Sequence, residues 1–556
     1  MRGFFGGNIE LDKAEMSFAE FSFGRNSNDQ FVEDKIFTET DDFILGLDGV
    51  ILNKKEIAHD AQDWVNYLIK QDLNLAQKLK RLKGVFHGFI LNKKTNELNL
   101  FNDITGNKNF SYYLKNGSFV FSYDEINLIQ LLKSHQLEMT LSPLSKYNFL
   151  AYSYLGSTQS WLEEGKRLAP GSILNFKNGK ISIESYKTLV SEPNNNSSYD
   201  KVLSDFEELM QEAVTLQYQK DKDSHKQHFT TLSGGLDSRA TTLLAHDLGF
   251  KEQTAFTCSQ SGYADQIIAE EIAEAYNFEH HFYALDSFEH LFDIENINKE
   301  IGGSALYSGP AHVMFGIDKF WNKDYGIIHS GHIGDGVMGA FLSSTQMSPP
   351  NLSYGRIRAE ILAHHPDFDA QIIEKYNNEE EYKLYERAFC GAACGVWGLE
   401  QFSYNIAPFI DRDILDFLLA LPYEFKYKRK IYIDWMLKFH PSWTEFKLES
   451  IHSKPNAHWK FKYELEYMRI RFGWRKLLSK EFRLKFNMAP EQYWFESSKA
   501  LQNYYAKEVK EALEIASDLK LPFHKEMTEF SKSKDYTTRA KASHLAYIIN
   551  LIYTNK

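Results

Sequence analysis

A chain of 556 residues is more than one hydrophobic core serves, so two domains or more are expected. Hydrophobic residues at 43% and charged ones at 25% are ordinary globular usage, while 75 acidic against 63 basic residues leave a net charge of -12, which argues against a nucleic-acid backbone as main partner. No segment approaches the roughly 18 apolar residues of a membrane span, the N-terminus lacks the apolar stretch of a secretory signal, and Cys258, Cys390 and Cys394 make neither a disulfide framework nor a metal set, so the cytoplasm is the expected compartment.

Residues 1–190 read as strands with one helix. Short alternating runs such as 43–47 and 97–101 are broken by Gly, Asn and Asp turns, and Asp60 to Leu82 carries Trp64, Leu68, Leu75 and Leu79 near one helical stripe. The polar run 191–198 cannot bury a face and reads as a linker, which divides the chain into domains 1–190 and 199–556. Beyond it strand and helix alternate, as in a parallel sheet: helix 199–219, strand 227–232, helix 238–248, strand 253–258, helix 265–276, strand 280–285 and strand 325–329. From about Arg356 the pattern is mostly helical, with Ala388 to Leu399 read as a buried helix.

Ser233-Gly234-Gly235-Leu236-Asp237-Ser238 lies between an apolar strand ending at Leu232 and an amphipathic helix. Two glycines let the backbone fold around an anion, free N–H groups at the helix start point at it, and the two serines add hydroxyls. Asp237 is suited to hold a magnesium ion that screens phosphate charge. No Lys follows, so this is not the phosphate loop of kinases. The plain alternative is a polar strand-to-helix turn that contains Gly-Gly.

The loop resembles the SGGxDS element of the PP-loop ATP pyrophosphatases. Ser330-Gly331-His332-Ile333-Gly334-Asp335-Gly336-Val337-Met338-Gly339 resembles the second signature of asparagine synthetases at Ser330, Gly331, Asp335 and Gly339. Segments 82–86, 102–103, 106–108 and 168–171 are similar to the glutaminase half of that family, and 408–411 to its "PFLD" element. The resemblance implies an N-terminal αββα domain of the N-terminal-nucleophile type, and a C-terminal doubly wound α/β domain with a helical end. It further implies an ATP and pyrophosphate site at Leu232, Ser233, Gly234, Gly235, Leu236, Asp237, Ser238, Thr257, Ser330 and Gly331, with magnesium on Asp237 and Asp335. The alternative for Asp335 is a plain helix cap.

The pattern is broken in places. The family's glutaminase needs Cys at position 2, where Arg2 stands; its glutamine-binding Asn-Gly is Asp48-Gly49, and the first thiol is Cys258. A glutaminase half without its nucleophile is therefore expected. His332 replaces an acidic residue, a position held by Tyr in the similar β-lactam synthetases, and reads either as a base for an attacking amine or as a partner of backbone carbonyls. Tyr404 and Ile406 replace a Glu and an Arg, with Glu400 one turn earlier, and Lys454 falls where the family keeps a lysine at the pyrophosphate; the catalytic candidates are thus His332, Tyr404 and Lys454. The expected reaction is adenylation of a small-molecule or peptide carboxylate by ATP with Mg2+, then displacement of AMP by an amine donor, as in β-lactam synthetases or lasso-peptide cyclases. The rivals are a silent nucleotide-binding scaffold and an asparagine synthetase using ammonia. No nucleic-acid or membrane partner is expected, and the oligomeric state, a homodimer included, is not specified.

Overall fold

A computed structural model describes residues 2–12, 14–70, 73–352, 365–451, 453–457, 467, 485, 487–521 and 524–554. Among them no helix is long and apolar enough to cross a membrane.

The N-terminal part is built from two six-stranded antiparallel sheets. The first has strand order β10-β8-β9-β1-β3-β2, from β1 (Gly3–Gly7), β2 (Met16–Phe18), β3 (Phe21–Asn26), β8 (Ser111–Lys115), β9 (Ser118–Ser122) and β10 (Gly165–Arg167). The second has order β12-β11-β7-β6-β5-β4, from β4 (Ile36–Glu39), β5 (Phe43–Ile51), β6 (Gly84–Asn92), β7 (Glu97–Asn102), β11 (Ser172–Lys177) and β12 (Lys180–Ser185). Their inner faces meet in a phenylalanine-rich layer, in which Phe23 stacks on Phe89 at 4.5 Å and Phe119 on Phe176 at 4.4 Å. The outer face of the second sheet is covered by α1 (Ala61–Ile69) and α2 (Leu75–Leu79), and that of the first by α3 (Glu125–Ser134) and α4 (Pro143–Tyr152). This is the expected αββα stack.

Two readings of this half need correction. The single helix 60–82 is two, because the chain turns extended at Lys70 and restarts at Asn74, whose side chain forms a capping box with Gln77. Helices α3 and α4 did not show in the periodicity, since eight of the ten residues of α4 are buried and no polar face marks it.

The linker is not a free tether. Ser191 is buried, its N–H donating to Glu381 and its hydroxyl bonded to Glu380 and Tyr423, and the N–H groups of Asn194 and Asn195 reach the Ala420 carbonyl.

After α5 (Tyr199–Asp223) comes a five-stranded parallel sheet of order β15-β14-β13-β16-β17, from β13 (Gln227–Thr231), β14 (Gln253–Ser259), β15 (Glu279–Ala284), β16 (Tyr325–His329) and β17 (Asn405–Ile406). Helices α6 (Leu236–Asp247) and α7 (Ala264–Tyr276) connect its first strands. The chain runs outward from β13 through β14 to β15, then returns to place β16 on the other side of β13, so the strand order reverses between β13 and β16. Strand β17 lies in the region expected to be helical. The stretch 388–399 is wide i→i+5 turns followed by short helical pieces rather than one helix. The helical run expected from about Arg356 opens in 353–364, outside the described residues.

Under β13 and β16 sits a buried knot. Asp221, near the end of α5, accepts from His228 at 3.0 Å and His329 at 2.7 Å through one oxygen, and from the Ile327 N–H at 2.8 Å through the other. A second buried pair joins the halves: Asp34, with no exposed surface, accepts from Lys220 Nζ at 2.7 Å and from the Ile51 N–H at 2.8 Å. Removing Lys220 leaves Asp34 only the longer pair with Lys54, at 3.8 Å, and so costs up to the roughly 3–5 kcal/mol of a broken buried pair. Lys220→Met is therefore expected to lower the chemical-denaturation midpoint sharply. Combining it with Asp34→Asn should recover most of the loss; no recovery would show that the pair is not the cause.

Candidate functional site

The first loop leaves β13 at its carboxyl end and closes on itself through serines. The Ser233 N–H donates to Ser238 Oγ at 3.0 Å, the two hydroxyls lie 3.0 Å apart, and the Gly235 N–H donates to Ser233 Oγ at 3.2 Å. Gly235 caps α6 without a side-chain hydrogen bond, so the first-turn N–H groups keep no side-chain cap, the arrangement that suits an anion. Thr257, on β14, braces the loop from beside, donating to the Leu232 carbonyl at 2.6 Å and touching His280 Nε2 at 2.9 Å. Behind it the fully buried Arg239 gathers four carbonyls, those of Gly234, Trp443, Phe446 and Lys447.

The second loop follows β16, and the two meet through backbone. The Asp335 N–H donates to Asp237 Oδ2 at 2.6 Å. The approach needs glycine: a Cβ on Gly334 would stand 2.5 Å from the Asp237 carboxyl carbon, and one on Gly331 would strike the Asp237 backbone. Between them Ile333 has φ 60°, unfavourable for a β-branched residue and held only by its surroundings. Burial, and next the charge of Asp335, raise the Asp237 carboxyl well above the usual range. Its Oδ1 is enclosed and accepts no well-formed hydrogen bond among the described residues, although the Tyr432 hydroxyl lies close to this carboxyl and lowers its pKa, while the Asp335 side chain is 49% exposed. An enclosed carboxylate oxygen facing a second carboxylate fits a hard cation such as magnesium, which takes oxygen ligands.

The other candidates divide. Ser330 bridges His332 Nδ1 at 2.8 Å and Asn405 Oδ1 at 3.0 Å, with its N–H on the Ile406 carbonyl, so β17 sets the second loop. The His332 partner is thus a hydroxyl rather than a backbone carbonyl; burial pushes its imidazole down to about 4, leaving it neutral near pH 7 and a weak base, and Nε2 is enclosed without a partner. Tyr404 is a correction: its side chain leaves the loops and enters the N-terminal half, donating to Asp48 Oδ1 at 2.9 Å under the ammonium groups of Lys35 and Lys108. Side chains alternate along a strand, so Asn405 faces Ser330 while its neighbour Tyr404 faces away. The Lys454 ammonium pairs with Glu445 at 3.5 Å on the surface. The backbone at Lys447 braces the first loop: its carbonyl shares Arg239 with Gly234, and the Glu449 N–H donates to the Gly234 carbonyl at 3.3 Å. A lysine in a loop has no pattern that would reveal this.

Around Arg2 the two halves are locked. Its N–H donates to Glu400 at 2.9 Å, its carbonyl accepts from Lys108 at 2.6 Å, and its guanidinium pairs with Glu300 at 3.1 Å. Lys108 also pairs with Asp48 at 2.8 Å; burial pushes the Asp48 carboxyl up, but Lys108 and then Lys35 outweigh it and hold it far below the ordinary range.

Residues 68–187 match the model of a glutamine amidotransferase domain, and 205–344 that of asparagine synthase. These two matches on one chain, one on the paired antiparallel sheets and one spanning both loops, define an enzyme of the amidotransferase and ligase kind. Together they support an asparagine synthetase-family protein, of a family that uses ATP. No curated protein matches it. Similar solved structures include glutamine phosphoribosylpyrophosphate amidotransferase from B. subtilis complexed with ADP and GMP, at 9% identity and TM-score 0.22 over 50% of this chain and 59% of that one. Another is described as the allosteric regulatory enzyme of purine biosynthesis, at 8% identity and TM-score 0.24 over 50% of this chain and 74% of that one. The chain thus spans about three fifths of the first, and both scores are too low to inform this structure.

Because the folded chain holds the Asp237 proton more tightly than the unfolded chain does, stability falls as pH rises from the unfolded carboxylate range towards the raised folded value. Asp237→Asn, which keeps the acceptor for the Asp335 N–H, is expected to melt at or above wild type near pH 7 without metal, and to lose that advantage towards pH 4. Melting well below wild type at both pH values would show a structural carboxylate instead.

Proposed function

We propose that the protein is an ATP-dependent, AMP-forming amide ligase that adenylates a carboxylate and lets a nitrogen nucleophile displace AMP, without hydrolysing glutamine. The observation that carries this reading is the meeting of the two loops at the carboxyl ends of adjacent parallel strands, which brings Asp237 and Asp335 to one crevice beside an uncapped helix start. Asp237 and Asp335 would hold magnesium, which supplies charge neutralisation at the phosphates. The first-turn amides of α6 would orient the phosphate chain, and Thr257 and Arg239 keep the loop in shape. The cation at the departing pyrophosphate would be Lys454, with Lys447, whose backbone lies against the first loop, as the second candidate. Absence of glutaminase chemistry is supported by Arg2, which stands at the nucleophile position and is tied on both sides of its backbone.

Lactam closure, peptide macrolactam closure and amidation of a sugar acid all satisfy this chemistry, and the nitrogen would come from an amine-bearing substrate or free ammonia.

With magnesium and a competent carboxylate, ATP is expected to yield AMP and pyrophosphate, and Asp237→Asn or Asp335→Asn to slow this ~100-fold or more. Lys454→Met should cost more than Lys447→Met. Products of ADP and orthophosphate would overturn the reading. In a parallel assay glutamine should release no glutamate above a blank; release that is lost with Arg2→Ala would locate an active glutaminase and contradict it.

A further inference from the structure

Arg429 belongs to neither loop motif, yet its guanidinium lies between the two aspartates and a third carboxylate. Its Nη1 is 2.9 Å from Asp335 Oδ1, and its charge also acts on Asp237 and Glu449. The backbone that delivers it is unusual. Lys428 and Arg429 both have left-handed φ values, 57° and 64°, in a turn between the helices Tyr423–Lys426 and Lys430–Phe439, and neither is Gly or Asn. Two successive residues with a Cβ persist there only if the surroundings over-determine them. Here they do. Gly339, at φ 92° in the second loop's own helix, packs so closely on the Lys426 carbonyl that no side chain would fit. On the other side the buried Lys426 ammonium is fixed by Glu380 at 2.6 Å and the Leu418 carbonyl at 2.7 Å. Strain is thus held in the turn, and its result is one cation placed at Asp335.

We propose that Arg429 is a resident counter-ion of the nucleotide-free protein, occupying the cation position at Asp335 so that a free divalent ion is kept off and enters only with nucleotide, whose phosphates then take over the guanidinium. This rests on the function proposed above. A divalent ion and a guanidinium 2.9 Å from the same carboxylate repel each other, so each disfavours the other until further negative charge arrives. A polyphosphate supplies that charge, and its oxygens match the planar fork of Arg better than one carboxylate oxygen does. Metal and nucleotide affinities are then coupled, each raising the other.

The test is Mn2+ binding to the full-length protein, followed by the electron paramagnetic resonance of free Mn2+, with and without a non-hydrolysable ATP analogue. Without nucleotide, Arg429→Gln is expected to bind Mn2+ about tenfold tighter than wild type, and Asp335→Asn added to it should remove the gain. With the analogue, Arg429→Gln should bind no tighter than wild type. Arg429→Lys, which keeps a charge, should fall between, and it reads out the same competition if the Gln variant does not fold. Lys428→Gly relieves the turn while leaving the guanidinium, and should track wild type in both conditions. Equal or weaker Mn2+ binding by Arg429→Gln without nucleotide overturns the proposal. Formation of ADP in place of AMP by wild type would instead refute the reaction proposed above, and leave this competition standing.

Discussion

The Asp237 carboxylate accepts the Asp335 backbone N–H at 2.6 Å, and the rest of the site is arranged around keeping that contact. It brings two carboxylates together in a partly enclosed crevice, where the charge of Asp335 disfavours that of Asp237. The protein accepts this through backbone geometry: glycine at 331 and 334, a left-handed Ile333 between them, and a parallel sheet whose central strands end side by side. Outward from the contact, Thr257 and Arg239 hold the first loop, and Asn405 holds the second through Ser330. A region that stores repulsion is pre-arranged for a cation and an anion together, and is costly in the absence of both.

The N-terminal half meets the C-terminal half through a shared network of charges. Asp48, Lys35, Lys108 and Glu400 are a set of buried or partly buried charges shared across the halves, Asp48 paired with Lys35 and Lys108 and Lys108 with Glu400, which also accepts the Arg2 N–H. Tyr404 belongs to this set, and the strand residues that follow it, Asn405 and Ile406, lie against β16. The N-terminal half therefore grips the very segment that positions Ser330, and the second loop leans on it.

Much of this was legible in the sequence. The two loop motifs, the alternation of strand and helix from 227 onward and the boundaries of β16 are local patterns, and the structure realises them within a residue or two. The αββα stack followed from resemblance rather than periodicity, because α4 is too buried to show a polar stripe. Tyr404 was misread because its partner, Asp48, is 356 positions away, and strand parity at β17 decides which way it points. The contacts of Arg429, of Arg2 and of the Lys447 backbone were hidden for a related reason: each joins residues far apart along the chain, and no spacing rule reaches that far.

The knot at Asp221 has a consequence for how the chain opens. One carboxylate oxygen holds two imidazoles from neighbouring strands and the other holds an amide of β16, so the end of α5 cannot leave without leaving all three bereft in a dry interior. Strands β13 and β16 thereby share the fate of α5, and their amides belong to a single protected unit in hydrogen exchange, opening together or not at all. The loops they carry can fray individually, but the distance between their roots is set by the least yielding part of the domain.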